Sequence, residues 1–180
     1  RIGDVQIPDD AGFQGEYCLH GSALLDAPDG PAPAASLRDK QSLLVFEADS
    51  RAVVSQSATL ELSRPSEERL FVEIVLVSGP KILLTPEHGV YSSQCGPGLP
   101  FRLVSAAQLT PRSCLPKVHS AGVKDEQVQS TRLVSERGVF RPVTNAGTLL
   151  IHRIIISCFD SKDHRALNIL PHVDSTLAES

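Results

Sequence analysis

The stretch Ala58–Ser78, ATLELSRPSEERLFVEIVLVS, decides the fold class. In its first part, Ala58–Ser63, leucine alternates with polar residues, which is the period expected when one face of a strand meets the core and the other meets water. Its last part, Leu70–Ser78, is almost entirely apolar and predicts a strand that is covered on both faces. The polar run Arg64–Arg69 predicts a turn between them. The stretch therefore indicates a β-hairpin whose second strand is central in a sheet.

A second hairpin is predicted from Val139–Thr144, the turn Asn145–Gly147 and a long strand Thr148–Phe159. Asn and Gly tolerate the left-handed conformation that short hairpin turns need. The long strand is rich in β-branched residues and places His152 at its centre. We expect His152 to be a core or sheet-face histidine, with a pH-sensing or catalytic role as the alternative.

Strand patterns continue along the chain, with turn signals every 8–12 residues and no long helix, so roughly eight to ten strands are expected. The predicted fold class is all-β: an antiparallel β-sandwich, jelly roll or barrel with few short helices. A parallel α/β fold would need crossover helices, which the sequence does not contain. A short apolar stretch at Ala166–Leu170 is expected to add one more strand.

The length of 180 residues and the 41% hydrophobic content fit one globular domain over residues 1–180. Within it, residues 1–40 are expected to be irregular, with short strands at Val5–Ile7 and Tyr17–Leu19, and residues 171–180 to fray. The chain opens on Arg1 and contains no Met, which indicates a processed product or a segment of a longer protein. The sequence leaves the localisation open, with an extracellular or surface location favoured over the cytoplasm.

Charge and composition exclude several kinds of partner. The net charge is −4 and only 4% of the residues are aromatic, so general nucleic-acid binding is not expected. No apolar run approaches the roughly 18 residues needed to cross a bilayer, so no membrane insertion is expected. The second half of the chain carries the excess of positive charge. There, Arg132, Arg137 and Arg141 are candidates for an anion or sugar site, although a solvated face explains them equally well.

Four cysteines, Cys18, Cys95, Cys114 and Cys158, suit two disulfides. A Cys95–Cys114 bond would close a loop of about 20 residues and contribute on the order of 3 kcal/mol. A Cys18–Cys158 bond would then join the N-terminal region to a central strand. The alternative is four reduced thiols that behave as small buried hydrophobic groups.

Cys95 is also the candidate nucleophile for catalysis, because the glycine that follows it could expose amide groups as an oxyanion hole. His88 or His119 would serve as the base that generates the thiolate. The competing interpretation is a structural cysteine in a turn. Together with Cys114, these three residues could also bind zinc, but they lack the closely spaced ligand pairs of structural zinc sites. No metal and no cofactor are therefore predicted.

The leading prediction is a non-enzymatic β-rich module for protein–protein recognition or assembly, either an ectodomain or a shell-like subunit. It depends on the density of strands, the Pro-rich loops and the lack of a convincing catalytic set. The loops at Ala27–Ala35, Gln94–Pro100 and Arg137–Gly147 would contact a protein partner or a second copy of the chain. The alternative is a cysteine-nucleophile hydrolase or transferase that uses Cys95 with His88 or His119.

Overall fold

Antiparallel strands make up most of the computed structural model, which describes residues 17–173. The strands are β1 Leu19–His20, β2 Leu24–Leu25, β3 Ala32–Pro33, β4 Ser42–Glu47, β5 Ala52–Leu76, β6 Lys81–Leu84, β7 His88–Ser92, β8 Arg102–Ser105, β9 Cys114–His119, β10 Gly122–Thr144, β11 Thr148–Ile151 and β12 Ile154–Asp160. One helix, α1, spans His164–Ile169, and single 3₁₀ turns occur at Ala34–Ser36, Ala106–Gln108 and Leu170–His172. The antiparallel all-β fold class is thus confirmed.

The first predicted hairpin is wrong, because Ala52–Leu76 forms one continuous strand, β5, without a turn. It pairs with β10 from Ala58 opposite Thr144 to Leu76 opposite Val128. The polar run lacks the Gly, Asn or Asp that supplies positive φ in a tight hairpin turn, and its proline cannot donate to a ladder. The ladder accommodates this segment as a bulge opposite Gly138, whose φ of +105° favours glycine.

The second predicted hairpin is wrong in its pairing. A turn does lie at residues 145–147, where the Gly147 N–H donates to the Thr144 carbonyl at 3.0 Å, but within the described residues β11 pairs with β12 and β2, and not with β10. The hairpin turn is His152–Arg153, where both residues have positive φ, 51° and 66°, as a two-residue type I′ turn requires. The side chain of Asp26 stabilises this turn by accepting the Arg153 N–H at 3.0 Å. His152 is therefore a half-buried turn residue and not a mid-strand one.

Two smaller expectations change as well. The stretch Ala166–Leu170 belongs mostly to helix α1, since Asp163 accepts the Arg165 N–H and caps the helix. The expected contact loop Arg137–Gly147 is largely strand β10. The expected strand Val5–Ile7 and most of the C-terminal tail lie outside the described residues. Within residues 17–173, none of the helices has the length and apolar content to cross a bilayer.

The short strand β1 determines where the N-terminal part of the described chain lies. Leu19 pairs with Phe140 of β10 on one side and with Leu84 of β6 on the other. All three side chains are buried in the main hydrophobic core. The two residues that precede β1 therefore lie between the C-terminal end of β6 and the C-terminal part of β10. Strand β7 follows β6 and pairs with β12, so β12 also lies near these two residues.

Candidate active site

The peptide bond between Tyr17 and Cys18 lies where these strands meet. Cys18 is 1% exposed. Its backbone N–H donates to Oγ1 of Thr85 at 2.9 Å. The Thr85 hydroxyl and the Thr85 N–H both donate to the Cys18 carbonyl oxygen, at 3.3 and 3.0 Å. Thr85 thus fixes both backbone polar groups of Cys18.

Thr85 and His88 are the two ends of a tight turn between β6 and β7. The His88 N–H donates to the Thr85 carbonyl at 3.0 Å, and Pro86 supplies the fixed φ that favours the second position of such a turn. The following residue is Gly89, where a Cβ would lie only 2.8–3.0 Å from atoms of β12. The lack of a side chain therefore lets β7 approach β12 closely and carries the His88 ring into the interior.

The His88 ring is 2% exposed, and its Nε2 lies 2.7 Å from the carbonyl oxygen of Ser157. Because a carbonyl only accepts, Nε2 carries the proton. Nδ1 is buried and makes no hydrogen bond within residues 17–173. Burial lowers the pKa of His88 to about 4, although the carbonyls of Ser157 and Cys18 favour the protonated ring. At neutral pH the ring is uncharged, and Nδ1 presents a lone pair that can take up a proton.

The carbonyl side of the same peptide bond is bound by Arg141 of β10. Its Nε donates to the Tyr17 carbonyl oxygen at 3.3 Å, and its guanidinium carbon lies 4.5 Å from the centroid of the Tyr17 ring. The Tyr17 ring also makes edge-to-face contacts with His88 and Phe159, at centroid distances of 6.4 and 6.1 Å. Both the carbonyl of Tyr17 and the N–H of Cys18 therefore have a side-chain partner.

A second thiol, Cys158, follows Ser157 on β12. It is 2% exposed, and its sulfur lies 3.8 Å from Oγ1 of Thr144. Burial raises the pKa of Cys158 to about 11, more than its contacts with Thr144 lower it. This thiol stays protonated at neutral pH. Cys18 and Cys158, the second predicted disulfide pair, both carry thiols in the structure.

The structure does not bring Cys95, His88 and His119 together. Cys95 is bonded to Cys114, so its sulfur is not available as a thiolate. His88 is the first residue of β7 and His119 is the last residue of β9, whereas the disulfide lies at the other end of both strands. Cys95 and Cys114, two of the four residues of the zinc hypothesis, are bonded to each other, and residues 17–173 hold no group of three or more potential metal ligands.

Removing the disulfide tests its contribution to stability. We expect Cys95→Ser to lower the free energy of unfolding by about 3 kcal/mol, because a loop of 19 residues is then no longer closed in the unfolded chain. Urea denaturation of the variant and of the wild type measures this. Cys114→Ser should give the same loss, and the double variant should be no less stable than either. A loss below about 0.5 kcal/mol would show that the bond contributes little.

The three arginines of the predicted anion site have separate partners. Arg132 donates to Glu73 at 2.8 Å, and Arg137 is exposed, with Glu68 opposite it in the ladder. Arg141 binds Tyr17, as described above. These residues do not converge on one anion site.

Sequence reasoning missed Cys18 and Thr85 as site residues and assigned Arg141 to a different role. One local signal was present: Thr85 and His88 stand three apart across a predicted turn. The remaining relations join residues 67 or more positions apart, and no local pattern reports them.

A buried cysteine, a threonine and a neutral histidine thus lie around one peptide bond. Residues 8–171 match the Hint module family, and the chain belongs to that family. The Indian hedgehog protein of Xenopus laevis is 25% identical over 147 residues, which are 79% of this chain and 36% of that protein. Warthog protein 6 of Caenorhabditis elegans is 25% identical over 150 residues, 82% of this chain and 25% of that protein. The chain thus spans about a third or less of these relatives.

Two solved intein structures share the fold. The DnaB intein from Synechocystis sp. PCC 6803 superposes with a TM-score of 0.63 at 11% identity, covering 79% of this chain and 98% of that one. The gp41-1 intein gives a TM-score of 0.57 at 13% identity, covering 79% and 98%.

These findings correct the leading functional prediction. A non-enzymatic module for protein recognition or assembly is wrong, because Hint modules and inteins are associated with autoprocessing and not with recognition. They favour the alternative, a cysteine nucleophile. That alternative placed the chemistry on Cys95, which lies beyond the last residue of β7, whereas His88 is the first residue of that strand.

Proposed function

We propose that the chain is an autoprocessing domain that breaks its own Tyr17–Cys18 peptide bond, with the Cys18 thiol as the nucleophile. One observation carries the proposal: the N–H of this peptide bond donates to Thr85, and the buried, neutral ring of His88 contacts the Tyr17 ring edge to face, at 6.4 Å between centroids. A cysteine sulfur reaches the carbonyl carbon of the preceding residue through a five-membered ring. Proximity is therefore supplied by the covalent chain.

The first step exchanges an amide for a thioester. The Cys18 thiol gives its proton to Nδ1 of His88, and the sulfur attacks the Tyr17 carbonyl carbon, so that a C–S bond forms and an electron pair moves to the oxygen. The carbonyl then re-forms, the C–N bond breaks, and the Cys18 nitrogen takes the proton back from His88. The products are a thioester at Tyr17 and an amine at Cys18.

The second step releases the acyl segment. A nucleophile attacks the thioester carbonyl carbon, the C–S bond breaks, and the Cys18 thiol is restored after protonation. The segment that ends at Tyr17 is transferred to that nucleophile. In both steps Thr85 holds the Cys18 backbone in place, and its hydroxyl lies next to the nitrogen that leaves in the first step.

Hydroxylamine provides a direct test, because it cleaves thioesters without reducing the Cys95–Cys114 disulfide. We expect the purified chain to yield two products by mass spectrometry: residues 1–17 as a hydroxamic acid and residues 18–180 with a new N-terminal cysteine. A chain that stays intact under native conditions, or that is cut at another bond, would overturn the proposal. Denatured protein is the control, since cleavage must depend on the folded site.

A further inference from the structure

We propose that Arg141 is a catalytic residue that stabilises the oxyanion formed on the Tyr17 carbonyl oxygen. This inference rests on the proposed function, since it assigns a group to the charge that the first step creates. Its basis is the hydrogen bond from Nε of Arg141 to that oxygen.

The fold fixes Arg141 beside this oxygen. Phe140 pairs with Leu19 in the ladder between β10 and β1. In that antiparallel register, the residue after Phe140 lies next to the residues before Leu19. The contact of the guanidinium group with the Tyr17 ring, at 4.5 Å, further limits where the group can lie. A donor held this way needs no rearrangement when the oxygen becomes charged.

The charge of Arg141 is available for this purpose. Within residues 17–173, no carboxylate forms an ion pair with it, whereas Arg132 and Arg165 are paired with acidic side chains. A charged donor binds an oxyanion more strongly than it binds a neutral carbonyl, because the two opposite charges attract each other in addition to forming the hydrogen bond. Arg141 therefore stabilises the tetrahedral intermediate more than the ground state, which is the condition for accelerating the reaction.

The other side chains of the site cannot take this role. The neutral His88 ring donates its only proton to Ser157, and the Thr85 hydroxyl donates to the carbonyl of Cys18 rather than to that of Tyr17. Among the described residues that contact this peptide bond, Arg141 is the one that brings a positive charge to the reacting carbonyl.

The test measures the rate of hydroxylamine-dependent cleavage. We expect Arg141→Ala to lower the rate by about 100-fold, the usual loss for one oxyanion donor. Arg137→Ala is the matched control, because it removes an exposed arginine from the same strand. It should change the rate by less than about twofold, as expected for a charge that makes no contact with the reacting groups.

Chemical rescue distinguishes catalysis from a structural role. Millimolar guanidinium or ethylguanidinium should restore part of the lost rate in Arg141→Ala, whereas sodium chloride at equal ionic strength should not. Should Arg141→Ala unfold, Arg141→Lys keeps the charge in a different geometry, and about a tenfold loss with an unchanged melting temperature is expected for it.

The outcomes separate the two proposals. A wild-type chain that fails to cleave overturns the proposed function itself. If the wild type cleaves, and the folded Arg141 variant cleaves within about twofold of the wild-type rate, only the role of Arg141 is overturned. The variant used for this comparison is Arg141→Ala, or Arg141→Lys where Arg141→Ala unfolds. A slower Arg141→Ala that has a lowered melting temperature and gains nothing from guanidinium also overturns it, because such a variant has lost structure rather than an oxyanion donor.

Discussion

Cys18→Ala is expected to abolish cleavage between residues 17 and 18, because it removes the sulfur that would carry the thioester while leaving the backbone bonds to Thr85 possible. The measurement is mass spectrometry after hydroxylamine treatment. No thioester can form in this variant, so residues 1–17 should stay attached at any incubation time at which the wild type is fully cleaved.

The other cysteines supply the controls for this result. Cys158→Ala and Cys95→Ser should both retain cleavage within about threefold of the wild type. Burial keeps the Cys158 thiol protonated, and the Cys95 sulfur is bonded to Cys114, so neither can act as the thiolate nucleophile. Cleavage that persists in Cys18→Ala, or that is lost in Cys95→Ser, would contradict the assignment of Cys18.

His88→Ala is expected to lower the cleavage rate by about 1,000-fold at neutral pH, within the range usual for loss of a general acid–base group. The reason is that Nδ1 both accepts the thiol proton and returns it to the leaving nitrogen. His119→Ala is the matched control, since it removes an exposed histidine at the end of β9. A rate within about tenfold of the wild type for His88→Ala, or a larger loss for His119→Ala, would reject this role.

The pH dependence tests the same residue independently. Because the pKa of His88 is about 4 in the folded chain and 6.5 in its ordinary state, the ring stays neutral down to about pH 5. We therefore expect the pH profile of the wild-type cleavage rate to have no inflection near pH 6.5 that comes from His88. An inflection near pH 6.5 that is present in the wild type and absent in His88→Ala would contradict this.

The same pKa has a consequence for stability. Between pH 6.5 and 4 the unfolded chain binds more protons at His88 than the folded chain does. The free energy of unfolding should therefore fall as the pH drops through this window, by at most about 1.4 kcal/mol per pH unit from this group. Urea denaturation of the wild type and of His88→Gln over this range measures the contribution, which should be absent in the variant.

The sequence predicted the antiparallel all-β class because period-two alternation and β-branched runs report burial of strand faces directly. It failed where strands turn. Apolar periodicity cannot reveal a turn inside a buried run, so His152 and Arg153 were assigned to the middle of a strand. Conversely, a polar run such as Arg64–Arg69 is equally compatible with a turn and with an exposed length of a long strand, and pairing with β10 decides between them.

The candidate site was predicted only in part, and for a related reason. His88 was recognised as a possible base, but it was assigned to the cysteine nearest in sequence, Cys95. Cys18 comes to it through the pairing of β1 with β6 and β10, a contact that depends on the whole fold. The match to the Hint module family extends over residues 8–171. It therefore includes both Cys18 and His88, which no local pattern connects.

The residues around the Tyr17–Cys18 bond also set an order of events during protein synthesis. The bond leaves the ribosome before the groups that contact it, because Thr85 is 67 residues after Cys18 and Arg141 is 124 residues after Tyr17. At roughly 5–20 residues per second, the chain needs on the order of ten seconds to make the last of these groups. Until β12 emerges with Ser157, His88 has no carbonyl to orient it. Under the proposed function, a nascent chain would therefore carry this peptide bond in an inert form, and only a fully translated and folded domain would break it.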